Sequence, residues 1–478
     1  MRRAVRGGRR VPRTGRGRAL AVGAAVVLVA GGVTGGIAAT SGGPAGPALY
    51  LAGIAENPCA PGTAVPVTTG GNYHFLPDSS VLSTSGQNPC TAAAVAASKQ
   101  WLGQGTIPGA NAAQRGLATR ALLDLRLSVQ PDGAVVAGFH PGWDYAWPRD
   151  SSFVAVALAG TGRGADAVSI LRFLQRMQNP DGTWAARYYP DGSGAVNDGR
   201  PAELDAVGWV PWAVWSWAAT QRLTPGGAAR AELQRLYPMV ARAADAAMAS
   251  IAADGLPRPA MDYWEDKPIE QTLGTAAPLL AGLRSAAALA GTLGATADQT
   301  RWAAAAGRLS TAITGTFGKT GDQRTPEAGS GADAAVTFLG PPFGPPFASP
   351  GAAVISAANA ARQALAEPDG GLRPGAAWHG AAGVAWTPET AMFALFDAGT
   401  GQQPEADRLL AWLAGHRTTL GELPEQVTPG GEPASVAPLA WTDALVLLTL
   451  LAQDHDLPAV PLRAGGAGTG VGGRGGGG

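Results

Sequence analysis

An almost unbroken helical rhythm, from just past Cys90 to about Pro458, limits what this chain can fold into more than any other feature. Segments such as "NAAQRGLATRALLDLRL" and "GADAVSILRFLQRMQ" repeat apolar residues every three or four positions, which gives a helix one buried stripe. Gly, Pro and Asp-Gly clusters interrupt the rhythm. Twelve helical segments result, near 109–128, 150–160, 163–178, 203–220, 227–252, 270–290, 295–317, 331–339, 350–366, 383–398, 403–415 and 436–453. Twelve helices in six pairs predict an all-α (α/α)6 toroid, a six-hairpin barrel, over residues 91–457. A helical solenoid would give the same count, but no fixed-length repeat is visible.

The formal net charge of zero hides an asymmetry. Eight Arg lie in residues 1–18, and no acidic residue precedes Glu56. Without those eight, the chain carries 27 basic and 35 acidic residues, a net charge of −8. A mildly acidic body with no clustered Lys and Arg argues against a nucleic-acid partner. The basic head (1–18) precedes an uncharged apolar stretch at 19–40. Its core is the length of a signal-peptide apolar region, and the whole stretch is long enough to span a bilayer. A signal-anchor and a cleaved signal peptide both fit, and both place the body outside the cytoplasm. Residues 41–90, rich in Gly, Pro, Ser and Thr, read as a linker or small cap. Cys59 and Cys90, each in "NPC", are the only cysteines and suit a disulfide in an oxidising compartment, with two free thiols as the alternative. The five His are scattered without metal-ligand spacing, so no metal site is expected. Residues 458–478 form a Gly-rich, low-complexity tail.

Two segments pair aromatic with acidic residues, "DYAWPRD" (Asp144–Asp150) and "MDYWEDKP" (Met261–Pro268), and a third, "LPEQV" (Leu423–Val427), supplies a further carboxylate. Sugars suit such pairs, because a pyranose stacks its C–H face on Trp and its hydroxyls need charged hydrogen-bond partners. Cleaving a glycosidic bond needs two carboxyl groups, one on each side of it. On the residues alone, Asp150 also reads as a helix cap and Arg149 as a surface ion-pair partner. Trp212, Trp215 and Trp217 read as core, and Glu422 as a solvated residue outside the motifs.

The order and wording of these segments resemble glycoside hydrolase family 15, the glucoamylases, over about residues 91–455. By that resemblance Glu265 is the general acid and Glu425 the general base, with Ser435, six residues before Trp441, bonded to the base. Trp264 would wall the acid and raise its pKa, while the serine would favour an ionised base. Arg149 and Asp150 would hold the nonreducing glucose and Trp147 would wall its pocket. Tyr145 and Asp205 would lie near the substrate. Asp266, where the family most often has Glu, would lie toward the leaving group, and Arg373 and Trp386 would line the entrance. "DAAVTFLGPPF" resembles an inner-helix segment that begins at Asp333.

The resemblance implies an inverting, exo-acting α-glucosidase on an α-glucan or α-glucoside, monomeric and without metal or organic cofactor. An α-1,6-glucan or trehalose hydrolase on the same fold stays open. So does a non-catalytic glycan-binding protein.

Overall fold

The computed structural model describes residues 47–85, 88–267, 269–344 and 351–461. The basic head, the apolar stretch 19–40 and residues 462–478 of the tail lie outside the described residues. The described chain opens with a hairpin, β1 (Gly53–Glu56) and β2 (Ala64–Val67), paired antiparallel. A Cys59–Cys90 disulfide, with an S–S distance of 2.07 Å, ties it to the start of α1 (Thr91–Leu102).

Six outer helices then alternate with six inner elements. The outer helices are α2 (Ala112–Ser128), α4 (Gly164–Met177), α6 (Ala228–Ser250), α8 (Thr296–Gly315), α10 (Gly351–Leu365) and α12 (Gln403–Gly415). The inner elements are α3 (Pro148–Gly160), α5 (Ala206–Ala219), α7 (Leu273–Leu293), the 3-10 helix Ala334–Leu339, α11 (Thr387–Gly399) and α13 (Ala440–Gln453). Each inner element packs on the next, and α13 returns to α3, so the ring closes. This is the (α/α)6 toroid that the sequence predicts.

Composition decides which helix goes inside. Helices α3, α5, α11 and α13 are apolar around most of their circumference and buried almost throughout, as the inner ring requires. Helix α7 is long and apolar enough to cross a bilayer, yet 89% of its apolar window is buried inside the protein. The outer helices α4, α6 and α12 bury one stripe and expose the other. Helices α5 and α7 meet at glycine: a Cβ on Gly282 would lie 2.5 Å from the Gly208 Cα, so any side chain there would push the ring apart.

The structure adds two helices to the sequence reading, α1 and the short α9 (Phe317–Thr320). The segment read as helix 331–339 narrows to the 3-10 turn, capped by Asp333, whose carboxylate accepts from the Ala335 N–H at 2.8 Å. Residues 47–85 are a cap bonded to the ring. The Tyr50 N–H donates to the Ser435 carbonyl at 2.9 Å, and the Ile54 N–H to the Glu422 carboxylate at 2.9 Å. Glu422 therefore departs from its expected solvated place. It is fully buried, within a cluster that also holds Arg120, Asp124 and Asp443, and burial pushes its carboxyl well above the usual range.

Candidate active site

Five of the six inner elements carry an acidic residue at or just before their first turn; α7, capped by Thr272, does not. Arg149 and Asp150 lie in the first turn of α3, Asp205 directly precedes α5, and Asp333 caps the 3-10 helix. Glu389 lies in the first turn of α11 and Asp443 in that of α13. Helix N-termini favour anionic groups through the dipole and their free N–H groups. Asp150 does not act as the helix cap: Trp147 is the N-cap residue of α3, Pro148 follows it, and no side chain caps the turn.

Arg149 is the electrostatic centre. Its guanidinium pairs with Glu203, lies 3.2 Å from Asp205, 3.7 Å from Asp150 and 3.8 Å from Glu265, and stands over the Trp441 ring. Burial alone would weaken its charge, but the carboxylates of Glu203, Asp205 and Asp150 outweigh burial and hold it protonated. One buried cation cannot neutralise so many buried acids. Burial pushes Asp150 up to about 6 and Glu203 up to about 7, against the pull of Arg149, and Asp205 rises for the same reason.

Glu425 sits in a short ladder. Strands β3 (Ala385–Trp386), β4 (Gln426–Val427) and β5 (Pro433–Ala434) pair antiparallel. The Glu425 N–H donates to Val436, and its carbonyl accepts from the Thr387 N–H, so its backbone is held on both sides. The Ser435 hydroxyl donates to Oε2 at 2.5 Å, and the Trp143 indole N–H donates to Oε1 at 3.0 Å. Burial pushes the Glu425 carboxyl up, while those two donors oppose it. The net direction is upward, against the expectation that the serine bond would prevail.

Glu265 is held differently. It takes φ = +57° in a turn closed by its N–H on the Asp262 carbonyl at 2.8 Å. Left-handed backbone is costly for a residue with a Cβ and concentrates at functional sites. Its carboxylate pairs with Arg200, and Arg149 stands behind it. Arg324 clamps the turn, reaching Asp262 at 3.2 Å and Asp333 at 3.0 Å, while the Tyr263 hydroxyl donates to Asp333 at 2.5 Å.

Trp264, the residue before the acid, is 6% exposed. Its face carries the Arg324 guanidinium at 3.6 Å, and its edge meets Trp378 at 5.1 Å. Trp378 in turn meets Trp386 at 5.3 Å, so the three indoles form one wall. Trp147 stacks edgewise on Tyr145, and the Arg187 guanidinium covers both rings. Asp266 is exposed, 3.7 Å from His379. Arg373 turns to Glu367, 3.7 Å away. A cavity of about 650 Å³ opens beside the wall, lined by Trp264, Asp266, Arg324 and Ala377 among others.

The most informative observation concerns unpartnered atoms. Buried polar atoms are normally hydrogen-bonded. Around Arg149, Asp150 Oδ2, Glu203 Oε1 and Asp205 Oδ1 have no hydrogen-bond partner, nor do the indole nitrogens of Trp147, Trp264, Trp378 and Trp441. Glu389 Oε2 is another, and its carboxyl is pushed up to about 8 by burial and then by the nearby Glu425 and Asp333. Acceptors and indole donors are thus left free among aromatic rings, as a polyhydroxylated ligand needs.

Sequence reasoning did not assign Trp143, Arg187, Arg200, Glu203, Arg324, Trp378 or Glu389 to the site. Trp143 and Glu203 lie within or beside quoted motifs, two residues from assigned positions, and that adjacency was the available signal. Arg324 comes from a polar loop that nothing in the sequence marks. The described residues contain no cluster of three or more His, Cys, Asp or Glu able to hold a metal.

No family model matches the chain. It is 30% identical over 97 residues to an uncharacterized glycosyl hydrolase of Methanocaldococcus jannaschii, a match covering 20% of this chain and 15% of that protein. Among solved structures it is similar to a glycosidase, with a TM-score of 0.61 and 22% identity over 73% of this chain and all of the other. A bacterial glucoamylase complexed with acarbose gives a TM-score of 0.61 at 16% identity, covering 78% of this chain and 61% of the other. The Saccharomycopsis fibuligera glucoamylase gives 0.56 at 14%, covering 69% of this chain and 91% of the other. The fold is the one these glycosidases and glucoamylases share.

Proposed function

We propose that the chain is a glycoside hydrolase of the glucoamylase family, an inverting, exo-acting α-glucosidase that releases β-glucose from nonreducing ends. The observation that carries this reading is the approach of two unlike carboxylates to the start of α3, Glu265 at 3.8 Å from Arg149 and Glu425 within reach of the Asp150 charge, amid unpartnered acceptors and indole walls. The similar structures support it, since one was solved with acarbose and a variant of the glycosidase with glucose.

In this reading Arg149, Asp150 and Asp205 bind hydroxyls of the terminal glucose, and Trp147 packs on its ring. Substrate exchanges the Arg200 contact of Glu265 for the glycosidic oxygen. Glu265 protonates that oxygen as the bond to the anomeric carbon breaks. Glu425, held back by Ser435 and Trp143, takes a proton from water as its oxygen bonds that carbon from the opposite face. Asp266 and the cavity beside Trp264 lie on the leaving-group side. The Cys59–Cys90 disulfide supports an extracytoplasmic body, tethered or secreted through residues 19–40.

The test is glucose release by the full chain from maltose, isomaltose, trehalose and soluble starch. We expect release from the α-1,4 substrates. Preference for isomaltose or trehalose would reassign the linkage, and sugar binding without turnover on all four would refute the enzyme.

A further inference from the structure

Three residues that belong to none of the sugar-cleavage motifs touch both groups that hold Glu425. The Ser435 N–H donates to the Ala48 carbonyl at 3.0 Å, and the Tyr50 N–H donates to the Ser435 carbonyl at 2.9 Å. Leu49 and Ser435 thereby form a parallel bridge. Ser435 has φ = +63°, a conformation that costs energy in a residue with a Cβ, and this bridge grips its backbone on both sides. From that strained position its hydroxyl reaches Glu425 Oε2.

Tyr50 also backs the second donor. Its ring stacks on His140 at 4.2 Å and 17°, and lies 5.8 Å from the Trp143 ring. The His140 ring lies 5.9 Å from Trp143, and its carbonyl accepts the Trp143 backbone N–H at 2.9 Å. The Trp143 indole then donates to Glu425 Oε1. Further along, the Ile54 N–H reaches Glu422, three residues before Glu425, and the disulfide fastens the hairpin to α1.

We propose that the segment Ala48–Tyr50 is a working part of the site, with Tyr50 a positioning residue that holds Ser435 and Trp143 against the base carboxylate. The proposal rests on the reading of Glu425 as the base. The loss of either donor leaves burial less opposed, so the carboxylate ionises only at higher pH. The other titratable groups whose charge reaches it, Asp150 from α3 and Glu389 from α11, are unchanged in the variants and keep their influence. His140 does touch Tyr50, so the conservative variant must keep that stack.

The experiment compares the full chain with its Tyr50→Ala and Tyr50→Phe variants. kcat/KM on maltose is followed from pH 3 to 8. The Glu425 carboxyl is titrated in parallel by NMR of protein labelled with carbon-13 at the Glu carboxyls, with Glu425→Gln identifying the resonance. Tyr50→Ala should move the acidic limb and the titration upward by about 0.5 to 1 pH unit, the size of one hydrogen bond. KM should stay near the wild-type value, and Tyr50→Phe, which keeps the stack, should restore the wild-type profile. An unmoved limb and titration in Tyr50→Ala, with only its thermal midpoint lowered, would reduce the segment to a structural brace. An equal shift in Tyr50→Phe would also overturn the proposal. If the wild type cleaves no α-glucoside, the hydrolase reading fails, and the titration alone decides the positioning claim.

Discussion

The two candidate catalytic carboxylates are built in opposite ways. Glu425 is held by neutral donors, Ser435 and Trp143, on a residue whose backbone is hydrogen-bonded to both neighbouring segments. Glu265 sits on a strained turn beside the exposed Asp266 and Lys267, and its partners are the guanidiniums of Arg200 and Arg149. A base must wait in one place with water before it. An acid must trade partners for the glycosidic oxygen. Neutral donors on a braced ladder suit the first task, and an exchangeable ion pair on a turn suits the second.

The largest expected effect comes from removing either carboxylate. Glu265→Gln and Glu425→Gln should each lower kcat on maltose by at least ~10²-fold, the low end for acid–base catalysis. Near wild-type turnover in either would break the comparison at its root. Ser435→Ala tests the support of the base. It should move the acidic limb of kcat/KM upward and cost about 10-fold at pH values below that limb, and an unmoved profile would show the serine to be passive.

A third prediction concerns the neighbour of the base. Glu389 has its folded pKa raised to about 8, above the usual carboxyl value near 4.5. The folded state therefore binds the extra proton in that interval, and stability falls as pH rises from about 4.5 to about 8. Glu389→Gln should match the wild type near pH 4 and gain a few degrees in thermal midpoint at pH 9. Equal midpoints at pH 9 would place the proton elsewhere. The smallest effect belongs to Arg200→Ala. Its side chain is 35% exposed and that of Glu265 30%, so their pairing is weakened by solvent. kcat should change by less than about threefold, with less salt dependence than in the wild type. A loss as large as that of Glu265→Gln would mean that Arg200 is not exchanged but required.

The ring was legible because period decides it: apolar-all-round segments such as "GWVPWAVWSW" must go inside, and one-striped segments such as α4 must cover them. Short motifs made Arg149, Asp150, Glu265, Glu425 and Ser435 candidates. Arg324, Trp378 and Trp143 were not, because their contacts come from loops that meet only when the ring closes. Helix α1 was missed because its run of Ala carries little amphipathic contrast. Glu422 was misread because three residues of separation from Glu425 change the partners entirely: one carboxylate takes the Ser435 hydroxyl and the Trp143 indole, and the other is fully buried on the Ile54 N–H.

The central claim is that Glu265 and Glu425 act on opposite faces of one sugar ring through a water held by Glu425. Proton NMR of maltose hydrolysis in the first seconds, before mutarotation, tests this most directly. The account predicts that the anomeric signal of β-glucose appears first and α-glucose grows only later. α-Glucose as the first product would contradict it and would make Glu425 a nucleophile in contact with the sugar.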